Sequence, residues 1–389
     1  MRNNVMFLVI AVSLFLLMDL YIFSGVKPLT APLQPNTRKI IHTIYWFFTA
    51  WSMVVLLIMF LGLSNSLPIW FRTVAMGLIM VLFLTKLVFI VFLLADDVQR
   101  LIQWIYGAVQ NTIHDKPASA DNSISRSDFL LKAGLAVSAI PFLGMTYGIV
   151  VGAHDYTVRR TKLVLKNLPK AWDGLKIVQL SDIHAGSFYN KTAVERGIKM
   201  VMDQKPDVIF FTGDLVNNKA EEMADYKELF STLKAPLGVY STLGNHDYGD
   251  YAAWDSLADK QQNLNDIIST HKEMGWDILM NEHRILKKEG AEIAIIGIEN
   301  WGAKGHFPKY GKLKEAYAGT EHVPVKLLLS HDPSHWDAEV RTRYKDIDLM
   351  FAGHTHGMQF GIEKGPIKWS PVQWMYDQWG GLYQKGEQY

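Results

Sequence analysis

The sequence predicts an α/β protein in which two mixed β-sheets pack as a sandwich flanked by helices, preceded by a region of four transmembrane helices. Three observations predict this. Residues 1–152 are apolar over stretches long enough to cross a bilayer, whereas 153–389 has an ordinary mixed composition. Within the second part, short apolar runs alternate with segments of helical periodicity. Five of those runs stop on clusters of His, Asp, Asn and Gly.

The membrane elements come first in the chain. Stretches 5–24, 43–63, 73–95 and 133–152 are each long enough to cross a hydrocarbon core of about 30 Å as a helix. The second and fourth carry no charge. Asp19 and Lys86 lie inside the first and third, and mutual pairing would relieve the cost of placing either there. Leu101, Ile102, Ile105, Val109 and Ile113 recur at helical spacing and predict a separate amphipathic helix on the membrane surface; 116–126 reads as a linker. One side of the membrane holds Lys27, Arg38, Lys39, Arg100, Lys116, Arg126 and Lys132, and the other only Arg2 and Arg72. The richer side is expected to be cytoplasmic, which places the carboxyl-terminal domain outside the cytoplasm, although Arg159, Arg160 and Lys162 run against the rule.

The strands follow. Runs 175–180, 208–211, 239–243, 327–329 and 349–352 are too short for helices and end at Ser, Thr or Gly. Segments 191–204, 220–233 and 254–271 are the intervening helices. Strands 285–286 and 293–298 have no helix between them, so the sheet arrangement cannot be wholly parallel. Polar residues just past strand ends are where α/β folds collect ligands.

Those polar residues carry the chemistry. They are Ser181-Asp182-Ile183-His184, Thr212-Gly213-Asp214, Gly244-Asn245-His246-Asp247, Ser330-His331 and Gly353-His354-Thr355-His356. The chain has 13 histidines and no cysteine, so the donors are imidazole nitrogens and hard oxygens, which suit a pair of borderline divalent cations. In Asp182-x-His184 an extended backbone would send both side chains one way, and the Asp214 carboxylate has two oxygens with which to bridge. Two cations roughly 3.5 to 4 Å apart can clamp a phosphoryl group and activate water.

The five clusters, in this order, resemble the calcineurin-like metallophosphoesterase family, whose pattern runs D-x-H, G-D, G-N-H-[DE], H and G-H-x-H. The resemblance covers residue 166 to the carboxyl terminus. It implies that Asp182, His184 and His356 hold one metal, that Asn245, His331 and His354 hold the other, and that Asp214 bridges them. It further implies that His246 serves the leaving-group oxygen and that Asp247 orients His246. The metals would be two divalent ions drawn from Mn, Fe, Zn or Co. Met358 stands where many relatives carry a glycine, and family members usually continue into further strands beyond this point. Residues 125–130 also resemble a twin-arginine export signal, with Ser127 in place of the second arginine.

Other histidines lack ligand spacing. His335 is expected to be exposed or capping, His154, His271, His283, His306 and His322 surface or supporting, and Asn217 a turn residue or a positioning group. Segments 299–311 and 369–383, rich in Trp, Tyr, Gly and Lys, are candidate cleft walls for an amphiphilic substrate, or else core. A net charge of +1 gives no reason to expect nucleic acid. The resulting expectation is a hydrolase integral to a membrane, by expectation the bacterial inner membrane, acting on a phosphomonoester, phosphodiester or pyrophosphate, lipid-linked substrates included. The alternative is a membrane sensor or scaffold that binds phosphate without turnover.

Overall fold

Long apolar runs form the first unit, Met1–Tyr156, and the mixed sequence forms the second, Thr157–Tyr389. A computed structural model describes residues 2–63, 67–113, 126–305, 307–364 and 367–389. Most of the expected linker, together with His114, His306 and Lys116, lies outside the described residues.

In the first unit the helices are α1 (Arg2–Thr30), α2 (Pro35–Phe60), α3 (Ile69–Ile113) and α4 (Asp128–Val150). Each contains a segment long and apolar enough to cross a membrane. Asp19 and Lys86 do pair, at 2.6 Å, and Tyr45 donates to both the carboxylate and the backbone carbonyl of Asp19. The separate surface helix is not found. Its residues continue α3 without a break for 45 residues, because nothing between Ala95 and Ile113 is a helix breaker other than Gly107, which a helix tolerates. Arg126 is engaged inside the unit: its guanidinium meets Asp96 at 3.1 Å and Ser24 Oγ at 3.0 Å. Ser127 caps α4 by accepting from the Leu130 N–H, and its own N–H donates to Asp96. The Arg-Ser-Asp sequence thus fastens the start of α4 to α3.

The second unit has two four-stranded sheets. The first contains β1 (Ile177–Leu180), β2 (Val208–Phe211), β3 (Val239–Ser241) and β4 (Asp277–Ile278) in that order, all parallel. The second contains β5 (Glu282–Lys288), β6 (Ala291–Gly297), β7 (Lys326–Leu329) and β8 (Leu349–Phe351), with only the β5–β6 pair antiparallel. All mixing of direction therefore lies in the second sheet. Side-chain alternation divides the core. Val208 and Phe210 of β2 pack with Ile293, Ile295, Leu327 and Leu329 between the sheets. Ile209 and Phe211 point to the opposite face, where α5 (Lys191–Met202), α6 (Lys227–Phe230) and α7 (Leu257–Glu273) contribute Val194, Ile198, Phe230 and Ile267. On the outer face of the second sheet, Ala294, Ile296 and Leu328 meet Leu313 and Ala316 of α8 (Leu313–Tyr317). Both faces of each central strand are covered, which is why β2 and β7 read as continuous apolar runs.

The helix expected over 220–233 is broken into a 3-10 turn, Ala220–Met223, and the four-residue α6. The Glu222 carboxylate fixes where the turn begins: it accepts N–H bonds from Gly186, Asn217, Asn218 and Lys219, folding the preceding loop onto the turn. After β8 the chain forms a separate two-stranded antiparallel hairpin, β9 (Ile362–Lys364) and β10 (Ile367–Trp369).

Candidate metal centre

Every expected ligand leaves a strand at its carboxyl end. Asp182 and His184 follow β1, Asp214 follows β2, Asn245 follows β3, His331 follows β7, and His354 and His356 follow β8. The two sheets therefore each contribute part of one cluster. Gly213, at φ 99°, lies against the Gly244 backbone, and a side chain there would collide with it. Gly353 is equally confined, since a Cβ would meet Ser181 Oγ and the Asp182 carboxylate.

The backbone is unusual here. Asp182, His184, Asp214, His354 and His356 all have φ between 47° and 72°, half of the ten non-glycine residues described with positive φ. Such conformations cost free energy and persist only where the surroundings enforce them. The expected extended Asp182-x-His184 is thus corrected. The two side chains converge through left-handed turns, held by the Asp182 and His184 N–H groups donating to the carbonyls of Gly213 and Asp214. Met358 is also left-handed, at φ 51°, so the backbone keeps there the shape that favours glycine.

Ligating atoms of Asp182, His184, Asp214 and His356 lie within 4.8 Å of one another, as do those of Asp214, His331 and His354. Asp214 belongs to both groups. His356 Nε2 stands 3.1 Å from Asp182 Oδ1 and 3.0 Å from His184 Nε2, and His331 Nε2 stands 3.1 Å from Asp214 Oδ2. Asn245 Oδ1 faces His331 Nε2 at 3.1 Å and His354 Nδ1 at 2.8 Å.

Hydrogen bonds behind the rings fix which nitrogen faces the cluster. His331 Nδ1–H donates to the Thr212 carbonyl (2.8 Å), and His184 Nδ1–H to the Asn217 amide oxygen (3.1 Å), so both turn Nε2 inward. His354 turns Nδ1 inward and sets Nε2 against the Tyr376 hydroxyl at 2.9 Å. Two imidazole nitrogens aimed at each other across 3.0 Å, beside two carboxylates and an amide oxygen, form a donor set that calls for a cation. The residues present fit divalent metal.

Electrostatics agree. Burial opposes a charged His331, yet the Asp214 and Asp182 carboxylates hold its ring up at about 10. Burial, and then the charge of His331, push His354 down to about 4. Asp214 stays well below the usual carboxylate range: burial opposes its charge, but His331 and His184 outweigh it.

His246 lies beside the cluster, its ring 4.7 Å from that of His184 and 4.6 Å from that of Tyr251. Its Nδ1–H donates to the Asn217 carbonyl at 2.8 Å, and its backbone N–H donates to Asp214 Oδ1. No hydrogen bond is described between Asp247 and His246, the residue that Asp247 was expected to orient. The fully buried Asp247 carboxylate instead accepts N–H bonds from Asp214, Leu215, Val216 and Gly244, and so holds the turn that carries Asp214. Burial, then the neighbouring Asp214 charge, push its carboxyl up to about 7 against those four donors.

Sequence reasoning weighed Asn217 as a turn residue or positioning group and missed the other supports. Asn217 joins His184 to His246, Glu222 fixes the loop bearing Asn217, and Tyr376 meets His354. Asp332 is buried, with Oδ2 unpaired and 3.7 Å from His354 Nε2. Of those missed, only Asp332, next to His331, had a local signal. Two other histidines are buried and stand off the cluster. His335 binds Ser330 Oγ and Glu339, not solvent, and His271 binds Ser241 Oγ behind β3.

Comparison with known proteins is consistent with this geometry. Residues 175–358 match the calcineurin-like phosphoesterase family, and residues 1–153 match the probable calcineurin-like phosphoesterase transmembrane domain. A Danio rerio transmembrane protein with metallophosphoesterase domain is 31% identical over 221 residues, 55% of this chain and 47% of that one. The Bacillus subtilis metallophosphoesterase YkuE is 28% identical over 275 residues, 68% of this chain and 87% of its own. The UDP-2,3-diacylglucosamine pyrophosphatase LpxG of Chlamydia trachomatis is 27% identical over 236 residues, 50% of this chain and 68% of its own. The alignment thus spans about half the length of the Danio relative. With both parts of the chain matched and the ligand-type residues gathered at one place, the protein belongs to the calcineurin-like metallophosphoesterases, in a form that carries its own transmembrane domain.

Proposed function

We infer that this protein is a dinuclear, metal-dependent phosphoesterase integral to the bacterial inner membrane, cleaving a phosphomonoester, phosphodiester or pyrophosphate. The observation that carries the reading is Asp214, shared between two clusters of ligating atoms. Asp182, His184 and His356 would hold one ion and Asn245, His331 and His354 the other, with Asp214 between them. When bound, such a pair supplies charge neutralisation for a phosphoryl group and a water acidic enough to attack near neutral pH.

The chain's own residues do the rest. Because a carbonyl can only accept, His246 keeps its Nδ1 proton on Asn217, and Nε2 is the atom that exchanges a proton with the leaving oxygen. Tyr251 and His184 flank the ring and restrict its tilt. Asp247 keeps the Asp214 turn rigid. The relationship to a pyrophosphatase named for a diacylated sugar nucleotide supports an amphiphilic substrate. The excess of Lys and Arg in the loops on one side of the spans supports an extracytoplasmic catalytic domain. A reporter fused after Gly152 tests this topology, and reporter activity confined to the cytoplasm overturns it.

His246→Ala tests the chemistry. We expect turnover of an alkyl phosphate to fall by roughly 10²- to 10⁴-fold with metal content unchanged. The loss should be smaller for p-nitrophenyl phosphate, whose leaving group needs no proton. An equal loss on both esters, or loss of metal, refutes the role.

A further inference from the structure

Of the eleven large apolar side chains described as exposed in the second unit, six fall in one short segment: Met358, Ile362, Ile367, Trp374, Met375 and Leu382. Trp374 is 74% exposed, Ile367 60% and Ile362 57%. The hairpin places several of them together. Ile362 pairs directly with Trp369, and Ile367 lies two residues before Trp369, so all three share one face of β9–β10. The Trp374 ring packs edge-on against Trp369, 6.1 Å between centroids. A two-stranded hairpin that pairs with neither large sheet has little stability of its own in water, and an uncovered apolar face makes it worse.

This segment is bound to the metal centre. Ser370 donates to the Gly357 carbonyl, Thr355 donates to the Trp379 carbonyl, and Tyr376, two residues past Trp374, reaches His354. We propose that the apolar face of β9–β10 with Trp374 inserts into the interfacial layer of a lipid bilayer, so that the metal centre acts on a phosphate ester whose organic half lies in that bilayer. The substrate class rests on the phosphoesterase reading; the insertion does not.

Three features identify a bilayer as the occupant. The same chain carries four helices suited to a bilayer, and only residues 151–156 separate α4 from the second unit, a tether of about 20 Å when extended, so a membrane surface is always within reach. Tryptophan is the side chain that favours the headgroup boundary, and the most exposed residue of the patch is Trp374. Lys368 is exposed on β10 beside the patch, with its ammonium on the Gly380 carbonyl, and suits anionic headgroups, whereas Lys385 is already paired with Asp337.

The chain has no cysteine, which makes a direct test clean. Full-length Trp374→Cys and Ile367→Cys are labelled with an environment-sensitive fluorophore and reconstituted into vesicles of phosphatidylethanolamine and phosphatidylglycerol. Leu257→Cys, 86% exposed on α7, is the aqueous reference. Insertion predicts blue-shifted emission, quenched by brominated acyl chains, at 374 and 367 but not at 257. Water-like emission at all three positions overturns the proposal. So does blue-shifted emission that brominated lipid leaves unquenched, because protein then covers the face.

The substrate class has its own readout. Serine at 362, 367 and 374 together should raise KM for phosphatidic acid in vesicles by about tenfold or more while leaving p-nitrophenyl phosphate hydrolysis unchanged. Equal effects on both substrates overturn the substrate assignment. If the unaltered protein hydrolyses neither of these monoesters nor a phosphodiester or pyrophosphate, the phosphoesterase reading fails, and quenching still decides insertion.

Discussion

Asp247 shows how far a single side chain's work can lie from its sequence neighbours. Adjacency to His246 suggests a catalytic pair, but the turn after β3 sends the carboxylate back to four backbone N–H groups. Asp247→Ala leaves those buried donors without their partner, at about 1–3 kcal/mol each where water does not replace it, so a loss above about 3 kcal/mol is expected. Thermal unfolding of the catalytic unit measures it; an unchanged midpoint refutes the bracing role. Tyr376 acts on the cluster through His354. Tyr376→Phe removes that hydroxyl and should weaken metal affinity roughly 10- to 100-fold, read by chelator competition with elemental analysis. The ligand-type residues were legible because strand ends concentrate them in short clusters. Tyr376 was not, because it acts across space on His354, 22 residues away, and no local spacing encodes such a contact; Asn217 was legible only as a turn residue or positioning group.

Among elements, the strands that end at the ligand-type clusters were legible to within a residue or two, since both faces of β2 and β7 are covered and their composition says so, whereas only 285–286 of β5 was seen. Strand β4, two residues long, and the β9–β10 hairpin carry too little periodicity to be seen. The 220–233 segment was misjudged because apolar spacing does not show where the backbone tightens to the i→i−3 bonds of Ala224 to Glu221 and Tyr226 to Met223. At 45 residues and 1.5 Å per residue, α3 is about 68 Å long, more than twice a hydrocarbon core. Inside the helical unit, the Asp19–Lys86 pair joins α1 to α3. Removing either charge alone should cost roughly 3–5 kcal/mol, and exchanging the two residues should recover much of it. Unfolding midpoints in detergent decide; an exchange variant no better than the single variants refutes the pairing energy. The tight β8 turn gives a second test. Gly353→Ala drives a methyl group into Ser181 and Asp182, so metal content should fall even where the fold survives.

For the molecule as a whole, acid sensitivity has an identifiable contributor. Burial pushes His271 down to about 3 in the folded protein, whereas in the unfolded chain it titrates near 6.5. Between those values the unfolded chain binds a proton that the native protein does not. Stability from this group is therefore complete above about 6.5 and declines as pH falls, by about 1.4 kcal/mol per pH unit. His271→Gln, which keeps a donor toward Ser241, should flatten the slope by that amount; an unaltered slope of unfolding midpoint against pH refutes it.

The placement of the candidate ligands has a mechanical consequence. Asp182, His184, Asp214 and Asn245 follow strands of one sheet, and His331, His354 and His356 follow strands of the other. Metal bound among these residues would rivet the two halves of the sandwich together along one edge, where five candidate ligands already hold left-handed backbone conformations that the free chain would shed. Chelation should then do more than silence the enzyme. It should loosen that seam, raising amide hydrogen exchange first at the carboxyl ends of β1 and β8 and lowering the melting temperature, while the apolar interior between Phe210 and Leu329 keeps its protection.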